Sequence, residues 1–73
     1  MENLYPSAVR RLRAKLNISQ TELAAILGVS FTSVNRWEKG HHQPKLIAKE
    51  KLRESFIENN IRFEEEEKWL LVI

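Results

Sequence analysis

Apolar side chains recur along this chain in short helical stretches separated by brief punctuation. Val9, Leu12 and Leu16 stand at i, i+3 and i+7, which predicts a first helix from near Ser7 to Leu16, with Pro6 and Ser7 as start signals and Asn17 as the stop. Ser19 followed three residues later by Glu22 is a capping box, so a second helix begins at about Gln20. Ile18 and Leu23 sit in hydrophobic-staple positions, Leu23, Ala24 and Leu27 share one face, and Gly28 stands where a left-handed residue lets the chain leave. Ser30 caps a third helix, with Val29 and Val34 as its staple and Gly40 as its terminator. After the short loop HHQP, Pro44 fits the first turn of a fourth helix from Lys45 to about Glu58. On it Leu46 or Ile47, Ala48, Leu52 and Phe56 track one face, and Asn59 and Asn60 serve as terminators.

The junction of the second and third helices carries most of the functional information. Only Gly28, Val29 and Ser30 remain between them, which calls for a sharp crossing, and Ala24 is small enough to let the helices approach. At about 100° per residue, Val34, Trp37 and Glu38 fall on one side of the third helix. Thr32, Arg36, Lys39 and, more obliquely, Asn35 point the opposite way. The first set docks the helix. The second suits base edges and phosphates: Arg pairs bidentately with guanine, Asn with adenine, and Thr meets a thymine methyl or an acceptor. Any surface helix turns polar residues outward, so the face alone decides nothing; the caps, the three-residue turn and the small residue favour a helix-turn-helix.

The strings LRAKLNISQTELA, LGVS and VNRWEKG, followed by Pro44, resemble the Cro/C1-type (XRE-like, phage repressor-like) helix-turn-helix family over roughly residues 7–45. The resemblance implies an all-α, compact four- to five-helix bundle, lambda repressor-like. The helix from Gln20 would lie across the DNA backbone and the helix from Phe31 would enter the major groove with its N-terminal residues on the bases. Positions matching the family's contacts are Gln20, Phe31, Thr32 and Arg36. The family also pairs Arg13 with Glu38 as a structural brace between helices. The loop after the recognition helix lies beside the DNA backbone in this family, giving His41, Lys39 and Lys45 phosphate contacts. With Ser30 and Asn35, the expected DNA-binding set is Gln20, Ser30, Phe31, Thr32, Asn35, Arg36, Lys39, His41 and Lys45. For Phe31 two roles stand open: packing at the start of its helix, or contact with a thymine methyl.

One departure from the family concerns the fourth helix. LIAKEKLRESFIENN contains no Gly, Pro or internal cap, so one helix of about 14 residues is expected where many phage repressor domains place two shorter ones.

Charge and composition narrow the function further. The chain has 73 residues, enough for one small domain that buries little surface, which makes a partner copy plausible. Its net charge of +2 is unevenly placed. Residues 1–45 hold seven basic and three acidic side chains, or +4; residues 46–73 hold five and seven, or −2. The half with the motif is therefore the half suited to phosphates, and the acidic remainder is expected to turn away from DNA. Glu64–Glu67 reads as a solvated charge run.

There is no cysteine, and no apolar run approaches the length of a membrane span. A cytoplasmic protein without disulfides and without membrane contact is expected. His41 and His42 are adjacent and would point apart, with no third ligand near in sequence, so no metal and no cofactor are expected. The serines are mostly explained as caps and no phosphate-cradling Gly-rich loop occurs, so no enzyme is expected.

The resulting organisation is a helix-turn-helix domain over residues 1–60 and a tail over 61–73 that ends WLLVI. Three roles stand open for the tail: a last helix returning to the core, a dimerisation element, or the start of a further domain. The function expected is a sequence-specific transcriptional regulator, a repressor, binding double-stranded DNA at an inverted repeat as a homodimer. The alternative is a helix-turn-helix module of an antitoxin, or the targeting domain of a larger DNA-modifying protein.

Overall fold

The computed structural model describes residues 3–62, which form four α-helices and no strand. They are α1 (Tyr5–Leu16), α2 (Gln20–Leu27), α3 (Phe31–Lys39) and α4 (Leu46–Glu58). The all-α helix-turn-helix fold class stands as the sequence predicts. No helix among these residues is long and apolar enough to cross a membrane.

The connectors follow one local rule. Asn17, Gly28, Gly40 and Asn60 all have positive φ, between 56° and 80°. At each, the following amide reaches back five residues: Ile18 to the Arg13 carbonyl, Val29 to Ala24, His41 to Arg36 and Ile61 to Phe56, over 2.8 to 3.1 Å. This left-handed turn satisfies carbonyls that the helix end would otherwise leave bare. Three of the four residues that follow are apolar, and Ile18, Val29 and Ile61 pack against the core. After Ile18 and Val29 comes a serine that caps the next helix. Ser19 Oγ accepts from the Glu22 amide while Glu22 Oε1 accepts from the Ser19 amide, both at 3.0 Å. Ser30 Oγ accepts from the Ser33 amide at 3.1 Å. A three-residue unit of left-handed cap, apolar anchor and serine cap thus turns the chain twice, between α1 and α2 and between α2 and α3. A side chain on Gly28 or Gly40 would be forced into a φ that L-residues avoid.

The core is contributed by all four helices: Tyr5, Ala8, Val9 and Leu12 from α1, Leu23, Ala24 and Leu27 from α2, Val34 and Trp37 from α3, and Ala48, Leu52 and Phe56 from α4. Each fully buried Leu, Val or Phe contributes roughly 1.5–3 kcal/mol of transfer free energy. Helix α3 packs on α1 and α2, and α4 closes the other side against the same two helices. Lys49 Nζ lies 5.9 Å from the centroid of the Tyr5 ring, a cation–π contact between the first and last helices.

Four sequence expectations are corrected. Helix α1 starts at Tyr5, two residues before Ser7, because Asn3 Oδ1 accepts the Tyr5 amide at 3.1 Å and burial of Tyr5 favours the extra residues. Pro6 is tolerated there because first-turn amides have no intrahelical acceptor. Leu16, placed on the core stripe, is 37% exposed, since the chain turns away at Asn17 before anything covers it. Pro44 lies ahead of the N-cap Lys45 and is buried in the loop, outside the first turn of α4. Leu46 and Ile47 both face solvent, each 71% exposed, while Ala48, Leu52 and Phe56 take the core face alone. The single fourth helix is present as expected. Of the tail, Ile61 packs on the core and the Arg62 carbonyl accepts from Arg11 Nη2 at 2.8 Å; residues 63–73, with their apolar end, lie outside the described residues.

Candidate nucleic-acid interface

Helix α3 is held from behind by arginines of α1. Arg10 Nη1 donates to the carbonyl of Glu38 at 2.7 Å, near the C-terminus of α3, where the helix dipole favours a cation. Arg13 forks onto the Glu38 carboxylate, Nε to Oε2 at 2.5 Å and Nη2 to Oε1 at 2.8 Å, and Nη1 reaches the Ile18 carbonyl at 3.3 Å. The brace implied by the family resemblance is therefore formed, and Glu38 is its buried member at 6% exposure. Burial pushes the Glu38 carboxyl up; hydrogen bonds from Arg13 and Gln20 and the charges of Arg13 and Arg10 outweigh that and hold it below the usual carboxylate range. The carboxylate is ionised in the folded protein at neutral pH.

From Glu38 the network continues outward. Gln20 Nε2 donates to Glu38 Oε1 at 3.2 Å, and Asn35 Nδ2 donates to Gln20 Oε1 at 3.2 Å. Both amides are half-buried. The first residue of α2 is thereby tied to the middle of α3.

On the far side of α3 the side chains are open. Thr32, Arg36 and Lys39 are exposed, and Phe31 is 49% exposed at the start of the helix. His41 and Lys45 are exposed in the loop that follows. Among the described residues, no hydrogen bond or ion pair engages the side chains of Arg36, Lys39 or Lys45. Arg36, His42 and Lys45 line one groove between α3 and the start of α4, floored by Val29, Trp37 and Ala48.

Of the nine candidate residues, Thr32, Arg36 and Lys39 share one exposed face, with Phe31 at its N-terminal end, and Lys45 joins Arg36 at the groove. Ser30 is occupied as a cap and also meets the Ser33 hydroxyl at 3.0 Å. Gln20 and Asn35 are committed in part to each other. Around the motif, Arg10 and Lys51 are structural cations that the sequence pattern does not mark. Arg10 lies off the apolar stripe of α1, although its spacing of three from Arg13 puts both on one side of that helix. Lys51 Nζ donates to the Leu27 carbonyl at 3.1 Å, fastening α4 to the turn of the motif, and no sequence signal marks it. Among the described residues no group of three or more His, Asp or Glu stands together as a metal would need.

The helix-turn-helix family pattern matches residues 9–53, from within α1 through most of α4. The chain is also similar to a protein of Archaeoglobus fulgidus described as an uncharacterized HTH-type transcriptional regulator, 38% identical over 64 residues that cover 84% of this chain and 90% of that one. No solved structure matches the chain. With the capped helices, the glycine turn and the Arg13–Glu38 brace in place, this chain belongs to the Cro/C1-type, XRE-like helix-turn-helix family of DNA-binding domains.

Proposed function

We propose that this protein is a cytoplasmic transcriptional repressor that inserts α3 into the DNA major groove and binds an inverted repeat as a homodimer. The observation that carries this reading is the division of α3 into a docked side, Val34, Trp37 and Glu38, and an exposed side, Thr32, Arg36 and Lys39. An arginine with no internal partner among the described residues, on a helix whose opposite face is braced, is poised for the bidentate contact that guanine offers. Lys39 at the end of α3, with His41 and Lys45 in the loop that follows, then meets phosphates and sets register without reading sequence. Occupying a site excludes other proteins from it, which is sufficient for repression. A dimer follows from reach, since one recognition helix reads only a few base pairs and two placed about 34 Å apart read successive turns. Leu46, Ile47 and Ile57 leave apolar surface on α4 of the kind a second copy covers.

Selection of bound duplexes from a random pool tests the reading. An enriched palindrome is expected; a pool returned unchanged, with the protein instead held in a stable protein complex, would point to an interaction module. In the same assay Arg36→Ala should weaken binding by about 1–3 kcal/mol and relax preference at one base position. Retention of the full preference would remove Arg36 from the reading role.

Lys39 and Lys45 separate positioning from reading. Each alanine variant should lower affinity equally for all sequences and reduce the slope of log affinity against log salt by about one. Slopes equal to that of the parent protein for both variants would place the loop away from DNA.

A further inference from the structure

The chain of contacts running from Glu38 through Gln20 to Asn35 has a direction. An ionised carboxylate only accepts hydrogen bonds, so the side of Gln20 that faces Glu38 must be its NH2. That turns the Gln20 carbonyl the other way, where the only group Asn35 can offer it is in turn an NH2. A free asparagine can exchange its oxygen and nitrogen by a half-turn about its last bond. Here the half-turn would bring two carbonyl oxygens together at the Gln20–Asn35 contact. Asn35 keeps a second N–H and its carbonyl beyond the one bond it makes, and it stands on the helix that bears Thr32 and Arg36.

We propose that Gln20 is a specificity-determining positioning residue: together with Glu38 it fixes which way round the Asn35 amide stands, so that Asn35 presents a donor and an acceptor in a fixed order to one base. The proposal rests on the reading of α3 as the major-groove helix. Adenine offers N7 as acceptor and N6–H as donor in a set order, whereas guanine offers two acceptors, so an amide that cannot flip favours adenine in one orientation. The ordering cost is met on folding, because Gln20 and Asn35 are already joined in the free protein. The charge of Glu38 thus acts at a distance through two neutral amides, and Arg13, by keeping that charge in place, belongs to the same line.

Selection from a random duplex pool, with the parent protein, Gln20→Ala, Asn35→Ala and the double variant, tests this. Asn35→Ala should erase the preference at one base pair. Gln20→Ala should reduce preference at that same pair by about tenfold while leaving the other positions as they were, and the double variant should match Asn35→Ala. Gln20→Met, which keeps the length of the side chain and removes only the amide, should behave like Gln20→Ala and guards against a folding artefact. In nitrogen–proton spectra of the free protein, the Asn35 side-chain amide signals should shift in Gln20→Met while the backbone pattern stays folded. If Gln20→Ala weakens all sequences alike, or its effect multiplies with that of Asn35→Ala, Gln20 is a phosphate contact and the relay is overturned. If the parent enriches a site and Gln20→Ala enriches it identically, the relay alone fails. If the parent enriches nothing, the DNA-reading function fails and the relay with it.

Discussion

Arg13→Ala should lower the stability of the folded domain by about 3–5 kcal/mol, the cost of leaving a buried charge without its partner. The reason lies on the Glu38 side. Its carboxylate is 6% exposed and loses two hydrogen bonds, at 2.5 and 2.8 Å, retaining only the Gln20 amide and the nearby Arg10 charge. Because Arg13 itself is 24% exposed, solvent reaches part of the vacated space and the loss is expected toward the lower end of that range. Replacing both members, Arg13→Met with Glu38→Leu, should recover most of the loss, since no charge is then buried alone. Urea midpoints check both variants, and a midpoint for Arg13→Ala within error of the parent would show that the pair carries no stability.

The same pair gives the domain a pH dependence of known sign. The Glu38 carboxyl is held lower in the folded chain than in the unfolded one, so its contribution is fully present above the unfolded carboxylate range. It is lost as pH falls through the depressed folded value. In Arg13→Ala the folded value rises and this acid-side loss shrinks.

Phe56→Ala should be comparably damaging, at about 3–5 kcal/mol, because the residue is only 1% exposed and removal of its ring leaves a cavity where α4 meets the rest of the domain. Its neighbour is the control. Ile57 is 61% exposed in the single chain, and Ile57→Ala should change the stability of the monomer, measured at dilution, by no more than about 0.5 kcal/mol. Small domains have total stabilities of about 5–15 kcal/mol, so the first variant should show a large fall in its urea midpoint and the second almost none. Equal midpoints for the two would mean that α4 is not part of the cooperative core.

These two variants mark the boundary between what the residues disclose locally and what they do not. The capping box at Ser19, the cap at Ser30 and the left-handed exits at Asn17, Gly28 and Gly40 could be located from the chain alone. Each depends on groups only a few positions apart, and a hydrogen bond over three or four residues leaves its mark in spacing. The docked and open sides of α3 were legible for the same reason, since one apolar stripe on a short helix has one way to face inward. The Arg13–Glu38 pair, separated by 25 positions, was reached through family resemblance and not through spacing.

Helix α4 shows the limit of periodicity. Leu46, Ile47 and Ile57 are as apolar as Leu52 and Phe56, and the pattern admits a broad apolar stripe. Only the positions of α1 and α2 decide that Ala48, Leu52 and Phe56 are covered and the others left to solvent. Leu16 is left outside likewise, because the chain turns before another helix can reach it.

By itself, then, the sequence determined the helices α2 and α3, their caps, the turn between them and the side of α3 that is offered outward, because all of these are set by neighbours within a few residues. The tertiary structure alone decided that Arg10 joins Arg13 in gripping α3, that Lys51 fastens the Leu27 carbonyl, and that Asn35 is linked through Gln20 to Glu38. Those contacts link residues 15 to 28 positions apart, and which side chain meets which across such distances is settled by how the helices pack, a geometry that spacing along the chain does not encode.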